Sequence, residues 1–219
     1  WQIAYDEKLL GGTLAALLAN YQLKPFAVFS SAYPKFYIDK KYFYAFKTPD
    51  LPMDELFNLP DDKKEKIKKR KEYKAKKWMM VEERKGFSSF RELKFLSNKE
   101  LLEKAKDNIS DEMRKQMRRA DAKNFISAFS QSHNKINRLT STTSKEGFAP
   151  FTVEHEVFYP EAELALFVGI DESIINIEQV RTGLERIGTS GFGKDASTGL
   201  GRFELGEETE IDLSQMASD

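Results

Sequence analysis

Apolar side chains recur every three or four residues in two stretches of the chain, as they do along one face of an α-helix. These stretches are 13–21 and 177–187. Asn176 precedes the second stretch, and Gln179 three residues later completes a capping-box pattern. Gly188 stands where a C-cap glycine belongs. We therefore predict an early helix and a late helix. Their apolar positions are Leu14, Leu17, Leu18 and Tyr21, and then Ile177, Val180, Leu184 and Ile187.

Other apolar or aromatic runs have the length and composition of β-strands. They lie at 26–30, 37–46, 153–159, 164–170 and 201–205. The sequence Ala-Tyr-Pro-Lys at 32–35 predicts a turn between the first two of these runs. The apolar segment 125–129 is compatible with either a strand or a helix. Strands and helices are thus mixed along the chain.

Two further helices are predicted between these strand-like runs. The first is 98–106, with Asn98 as its N-cap. The second is 110–119, which has acidic residues in its first turn and arginines in its last, as the helix dipole favours.

Charge is unevenly distributed, although the formal net charge of the 219 residues is zero. Residues 63–77 contain ten Lys or Arg and two Glu, whereas 204–219 contain six acids and no base. We predict a largely helical segment over 61–77. A solvated helix and a contact with RNA phosphates or a partner protein are both compatible with such a charge run.

The composition excludes several kinds of site and location. The chain has no cysteine, so it has neither disulfides nor thiolate metal ligands. It has no apolar run near 18 residues and no recognisable signal peptide. We therefore expect a cytoplasmic protein with no membrane partner. The carboxylates show no metal-ligand spacing, and no sequence motif indicates a cofactor.

Six of the 12 glycines lie in 183–201, after the late helix and before a predicted strand. A dinucleotide-binding fingerprint needs glycines before a helix, and a P-loop needs Gly-Lys-Ser/Thr where this chain has Gly193, Lys194 and Asp195. Both are excluded. Two interpretations stay open: a cationic loop whose N–H groups line a polyanion, and a glycine-rich connection that packs closely.

A second polar stretch, 132–150, interleaves hydroxyl, amide and cationic side chains, with Phe148 and Phe151 near its end. This composition suits phosphate binding and base stacking. An exposed loop without a ligand is the alternative.

These two stretches resemble the RAMP proteins of type III CRISPR effectors, and are most similar to the Csm-type (III-A) members. The resemblance rests on Ser-His-Asn-x-Ile-Asn-Arg-Leu-Thr-x-Thr-Thr from Ser132, Glu-Gly-Phe-Ala-Pro-Phe from Glu146, and Gly-Phe-Gly-Lys-Asp-Ala-Ser-Thr-Gly-Leu-Gly-Arg-Phe from Gly191. It covers about 129–205, and more loosely 11–33.

The resemblance implies an α+β RAMP fold of ferredoxin-like (RRM-type) domains with antiparallel sheets and a charged helical insertion. We predict an N-terminal domain at 1–123, with the insertion at about 61–123. A thumb-like segment and a C-terminal ferredoxin-like portion follow at 124–219. Family members run longer after the glycine loop, so we expect this second portion to be incomplete.

The resemblance also implies a function. Such a subunit is not a nuclease. It grips the 5′ repeat-derived tag of the CRISPR RNA (crRNA), docks the large polymerase/cyclase-type subunit and contacts a backbone RAMP subunit. It meets target RNA only indirectly, through the guide. The implied RNA-binding residues are His133, Asn134, Lys135, Asn137, Arg138, Thr140, Thr142, Phe148, Ser190, Gly191, Phe192, Gly193, Lys194, Ser197, Gly199, Gly201 and Arg202.

Two alternatives stay open. Related RAMP folds cut RNA with a histidine-centred site, and His133, beside two cations, is the candidate general base for such an endoribonuclease. His155 lies between two glutamates and is interpreted as strand surface. The second alternative is a structural adaptor without direct RNA contact.

Overall fold

The computed structural model describes residues 4, 8–11, 14–117, 123–134, 136, 143, 149–193 and 195–211. Within these ranges the strands are β1 (Ala27–Ile38), β2 (Lys41–Lys47), β3 (Lys76–Glu82), β4 (Lys94–Ser97), β5 (Ile126–His133), β6 (Phe151–Phe158) and β7 (Glu163–Ile170). The α-helices are α1 (Leu14–Ala19), α2 (Met53–Leu56), α3 (Lys63–Lys74), α4 (Asn98–Asn108), α5 (Asp111–Met117) and α6 (Ile177–Ser190). Two short 3₁₀ turns are η1 (Phe90–Glu92) and η2 (Ala196–Thr198). Among the described residues, no helix has the length and apolarity needed to cross a membrane.

The strands form two sheets. Five of them lie in the order β4-β3-β2-β1-β7, and β1 to β4 make an antiparallel meander in which Tyr37 faces Tyr42 and Phe46 faces Met79. Strands β5 and β6 form a separate antiparallel pair. The chain is therefore α+β with antiparallel sheets. This confirms the predicted class and is compatible with a ferredoxin-like fold.

The chain folds into two compact units, 33–165 and 1–32 with 166–219. In the second unit a buried cluster joins Leu14 of α1, Phe26 and Ala27 at the start of β1, and Val180 of α6. Most of the apolar positions predicted for the early and late helices contribute to this cluster, but Leu18 and Ile177 are exposed. The domain boundary predicted at 123/124 stays a prediction.

Strand β3 is the central element of unit 33–165 because both of its faces are buried. Trp78 and Met80 lie in one cluster, with residues of α4, and Met79 and Val81 lie in another, with Leu56 of α2. Side chains alternate across a strand, so this separation follows directly from the sequence Trp-Met-Met-Val. The indole Nε1 of Trp78 donates to Asn98 Oδ1 at 2.8 Å, which satisfies its polar group inside the core.

Helix α4 begins at Asn98 as predicted, but its N-cap lies one residue earlier than predicted. Ser97, not Asn98, is the N-cap, and Ser97 and Glu100 form a reciprocal capping box. Glu100 also accepts from Lys76 Nζ at 2.6 Å. Burial acts to raise the pKa of Glu100, but hydrogen bonds from Lys76 and Ser97 outweigh it and hold the pKa at about 2.

The turn predicted at 32–35 is wrong. Strand β1 runs without interruption from Ala27 to Ile38, and Pro34 is fully buried within it. The pairing with β2 covers Lys35 to Ile38, so the missing N–H of Pro34 lies outside that ladder. The ambiguous segment 125–129 is strand from Ile126 onward.

The ion pair of Glu100 predicts a pH-dependent stability. The folded pKa lies below the ordinary value of 4.5, so the stabilisation is present above about pH 4.5 and is lost as pH falls toward about 2. Because Glu100 is part exposed, we expect Glu100→Gln to cost about 0.2–1 kcal/mol near neutral pH, and less in acid. Urea unfolding across this range measures the difference. The matched control is Glu103→Gln on the same helix, where the exposed Glu103 pairs with Lys106. An equal loss at every pH would contradict an ionic origin.

Candidate nucleic-acid interface

Strands β5 and β6 form a two-stranded ribbon in unit 33–165. At its base, Phe125 and Tyr159 are buried in the core, and the Tyr159 N–H donates to the Phe125 carbonyl at 2.7 Å. The register runs from Ile126 opposite Phe158 to His133 opposite Phe151. Most of the ribbon's side chains are exposed. The core thus anchors one end of the ribbon. At the other end the strands are joined by the polar segment 134–150.

Side chains two residues apart share a face of this ribbon. We call one of them the ring face. It consists of Phe129, Gln131 and His133 on β5, and Phe151, Val153 and His155 on β6. The opposite face carries small hydroxyl side chains and two carboxylates, from Ser130, Ser132, Thr152, Glu154 and Glu156.

Two stacked ring pairs cover the ring face. The rings of His133 and Phe151 are 5.3 Å apart and inclined by 14°, and those of Phe129 and His155 are 5.0 Å apart and inclined by 28°. Phe129 and Phe151 are 43% and 37% exposed. Aromatic rings held side by side and partly open to solvent are the platform on which unpaired bases stack.

The two imidazoles are close to each other. A ring nitrogen of His133 lies within 4.8 Å of a ring nitrogen of His155, which joins the two stacks into one patch. Nitrogens at this distance could also share a metal ion, so these two residues are the ribbon's candidate metal ligands.

Only part of the predicted segment 132–151 is described. His133 ends β5, and Asn134 follows it with an exposed side chain. The other predicted residues lie outside the described residues; they are Lys135, Asn137, Arg138, Thr140, Thr142 and Phe148.

Sequence reasoning missed two members of the ring face. Phe129 was not singled out, and His155 was interpreted as strand surface, whereas Phe151 was named beside the polar stretch but not among the implied RNA-binding residues. The structure instead places His155 half-buried against Phe129. The sequence does show rings four positions apart in each of two strand-like segments, at 129 and 133 and at 151 and 155. That spacing shows which residues share a face of each strand, but which rings meet across the two strands follows only from the register.

The glycine loop belongs to the other unit and follows helix α6. The capping box of Asn176 and Gln179 is confirmed. The predicted C-cap at Gly188 is wrong, because α6 continues to Ser190 and Gly191 caps it with φ 99°. The chain then turns through η2 and comes back alongside the end of the helix.

The backbone closes this loop on itself. The Phe192 N–H donates to the Gly201 carbonyl at 2.8 Å, and the Phe203 N–H donates to the Gly188 carbonyl at 3.2 Å. The strand predicted at 201–205 is wrong: in the described range 202–211 no residue is in a strand, and Phe203 bonds to the helix end instead.

The glycines of the loop fall into two groups. A Cβ at Gly188, Gly191 or Gly201 would overlap the carbonyl oxygen of Phe203, Leu200 or Phe192 respectively, so these three permit close backbone packing. Gly193 and Gly199 have φ of 104° and 91° with open space around them. They allow the turn rather than a close contact within the chain.

The exposed side of the loop carries few polar groups and two aromatic rings. Phe192 is 74% exposed and Phe203 is 39% exposed. Ser197 and Arg202 are exposed, and among the described residues Arg202 forms no ion pair. The Ser190 hydroxyl donates to the Arg186 carbonyl at 2.8 Å, so it caps the helix rather than facing a ligand. Lys194 lies outside the described residues.

Comparisons with known proteins do not identify the chain. No protein-family model matches it, and no curated protein matches its sequence. What the interface does must therefore be argued from its own chemistry.

The loop geometry gives a stability prediction. Gly201 has φ 69°, and a Cβ there would overlap Phe192 backbone atoms. We expect Gly201→Ala to lower the free energy of unfolding by about 1–3 kcal/mol, and to speed amide exchange around 188–203. The matched control is Gly206→Ala, where a Cβ meets nothing within 4 Å. Thermal unfolding and hydrogen exchange measure both variants. Equal behaviour of the two would contradict the close approach.

Proposed function

We propose that this protein is a non-catalytic RNA-binding subunit of a type III CRISPR interference complex, equivalent to the fourth subunit of the Csm complex. It binds the 5′ repeat-derived tag of the crRNA and docks the large polymerase/cyclase-type subunit. The observation that carries the RNA-binding part is the ring face of the β5–β6 ribbon. The sequence motifs at 132–143, 146–151 and 191–203 carry the assignment to a CRISPR complex.

The chemistry of the ring face favours a single-stranded ligand. A base can stack on an aromatic ring only when it is unpaired, and an RNA tag has such bases. His133 and Phe151 lie at the end of the ribbon that continues into the polar and cationic segment 134–150. Stacking on the ribbon and phosphate contacts from that segment would therefore act on neighbouring nucleotides.

The glycine loop offers a second kind of contact. Gly193 and Gly199 leave the backbone uncovered by side chains, and Phe192 presents a ring to solvent. An exposed ring next to an uncovered backbone suits a base and its phosphate. Arg202 supplies positive charge on the returning arm.

The ring face predicts the effect of one substitution. We expect Phe151→Ala to weaken binding of a crRNA that carries the tag by about 1–3 kcal/mol, or roughly 5- to 150-fold, because one stacking platform is lost. The measurement is fluorescence anisotropy with the crRNA of the source organism. The matched control is Phe87→Ala, which removes a similarly exposed ring that contacts Phe90, outside the ribbon.

The same RNA separates the alternatives. If the parent protein cuts a repeat-containing precursor and His133→Ala abolishes cutting, the protein is an endoribonuclease and the non-catalytic proposal fails. If the parent protein itself has no measurable affinity for this RNA while assembly with the large subunit persists, the structural adaptor is correct instead.

The RNA that copurifies with the tagged protein from its native host provides an independent test. We expect discrete RNAs that share one repeat-derived 5′ end and arrive together with other effector subunits. Sequencing of the bound RNA and mass spectrometry of the copurified proteins give this result. Heterogeneous cellular RNA, or none, would refute tag binding.

A further inference from the structure

Helix α3 is an exposed, strongly basic element that the proposed function does not use. Its 12 residues include eight Lys or Arg and two Glu, and none of its side chains is buried. Its first turn is capped locally, and a ring contact attaches its last turn to another segment. The Asp62 carboxylate accepts from the N–H groups of Lys64 and Glu65 at 2.9 Å, and Tyr73 stacks on Phe57 at 4.0 Å with 6° between the rings.

The charges of α3 are segregated around the helix axis. At 100° per residue, Glu65 and Glu72 fall within about 20° of each other on one side, where Lys69 bonds to Glu72 at 3.3 Å. Beside these acids, a sector of about 160° that begins about 40° from Glu72 contains only cations and Ile67. We call it the cationic arc. It consists of Lys63, Lys64, Lys68, Arg70, Lys71 and Lys74, with Ile67 among them.

Within the described part of the chain, no carboxylate forms an ion pair with the cationic arc, although Lys68 lies four residues before Glu72. All six of its cations are exposed, and within that part none lies within 4.0 Å of a carboxylate. Like charges three or four residues apart, as at Lys64, Lys68 and Lys71, disfavour a helix. Lys63 and Lys64 also lie in the first turn, where the helix dipole opposes positive charge. The helix thus carries a repulsion that a bound polyanion would relieve.

The shape of the arc favours nucleic-acid phosphates over other anionic partners. A helix that lies on a membrane needs a broad apolar face, and Ile67, which is 54% exposed, is the arc's only apolar residue. A protein interface needs buried apolar or aromatic anchors at its centre, which the arc also lacks. Lysines are flexible point charges that suit contacts with successive phosphates, and the arc extends along about 17 Å of helix.

We infer that the cationic arc of α3 is a second nucleic-acid contact, which binds phosphate charge without reading sequence. The inference stands on the helix alone and does not depend on tag recognition by the ring face. Its role would be to hold RNA that lies outside any sequence-specific site.

The test neutralises three cations in the full chain. We expect Lys64→Gln, Lys68→Gln and Lys71→Gln together to weaken binding of an unstructured RNA without repeat sequence by about 10- to 100-fold near 0.1 M salt. The slope of log affinity against log salt should fall by about 2. The triple variant should be at least as stable as the parent because it removes like-charge neighbours, so unfolding would not explain the loss. The matched control neutralises three exposed lysines elsewhere in the same unit, Lys94, Lys99 and Lys115.

The outcomes distinguish this inference from the proposed function. The α3 variant should weaken tagged and untagged RNA equally and lower the salt slope, whereas Phe151→Ala should weaken RNA binding with the salt slope unchanged, because stacking neutralises no phosphate. An unchanged salt slope in the α3 variant, or an equal loss in the control, overturns the inference. So does a result in which the α3 variant loses binding to phosphatidylserine vesicles or polyglutamate but keeps its affinity for RNA.

Discussion

The packing of helix α4 against strands β3 and β4 is the interaction on which the rest of unit 33–165 depends. Leu101 and Leu102 of α4 are buried against Trp78 and Leu96 of the sheet. The Trp78 indole can lie this deep because Asn98, at the start of the same helix, accepts its N–H. The helix therefore supplies both the apolar contacts and the polar partner that the central strand needs.

Both candidate nucleic-acid surfaces of this unit are attached to that core. Phe125 and Tyr159 at the base of the ribbon belong to the same buried cluster as Trp78. Helix α3 ends at Lys74, and after one intervening residue β3 begins as the central strand. Neither the ribbon nor α3 buries much apolar surface of its own, and isolated elements of this kind are marginal in water. Their positions depend on the core rather than on local sequence.

The glycine loop shows that two interpretations of one motif can apply to different residues. Gly188, Gly191 and Gly201 let backbone pass against backbone, which is a requirement of the fold whether or not RNA binds. Gly193 and Gly199 face open space, so they allow the chain to turn and leave the backbone there accessible to a ligand. A substitution at the first group tests the loop's structure, and one at the second group tests its surface.

Local sequence was enough to predict that strands and helices are mixed, and to predict the late helix with its capping box and the basic helix, because each depends on contacts within a few residues. The α+β class with antiparallel sheets was implied by the family resemblance, since it depends on the pairing of distant strands. Pro34 and Gly188 were misassigned, since what lies beside them is set by residues distant in the chain. The ring face was not predictable for the same reason. Phe129 and His155 become neighbours only through the register of β5 with β6, and a shift by one residue would have placed them on opposite faces. Local periodicity decides which element forms, whereas the pairing of distant strands decides which side chains meet.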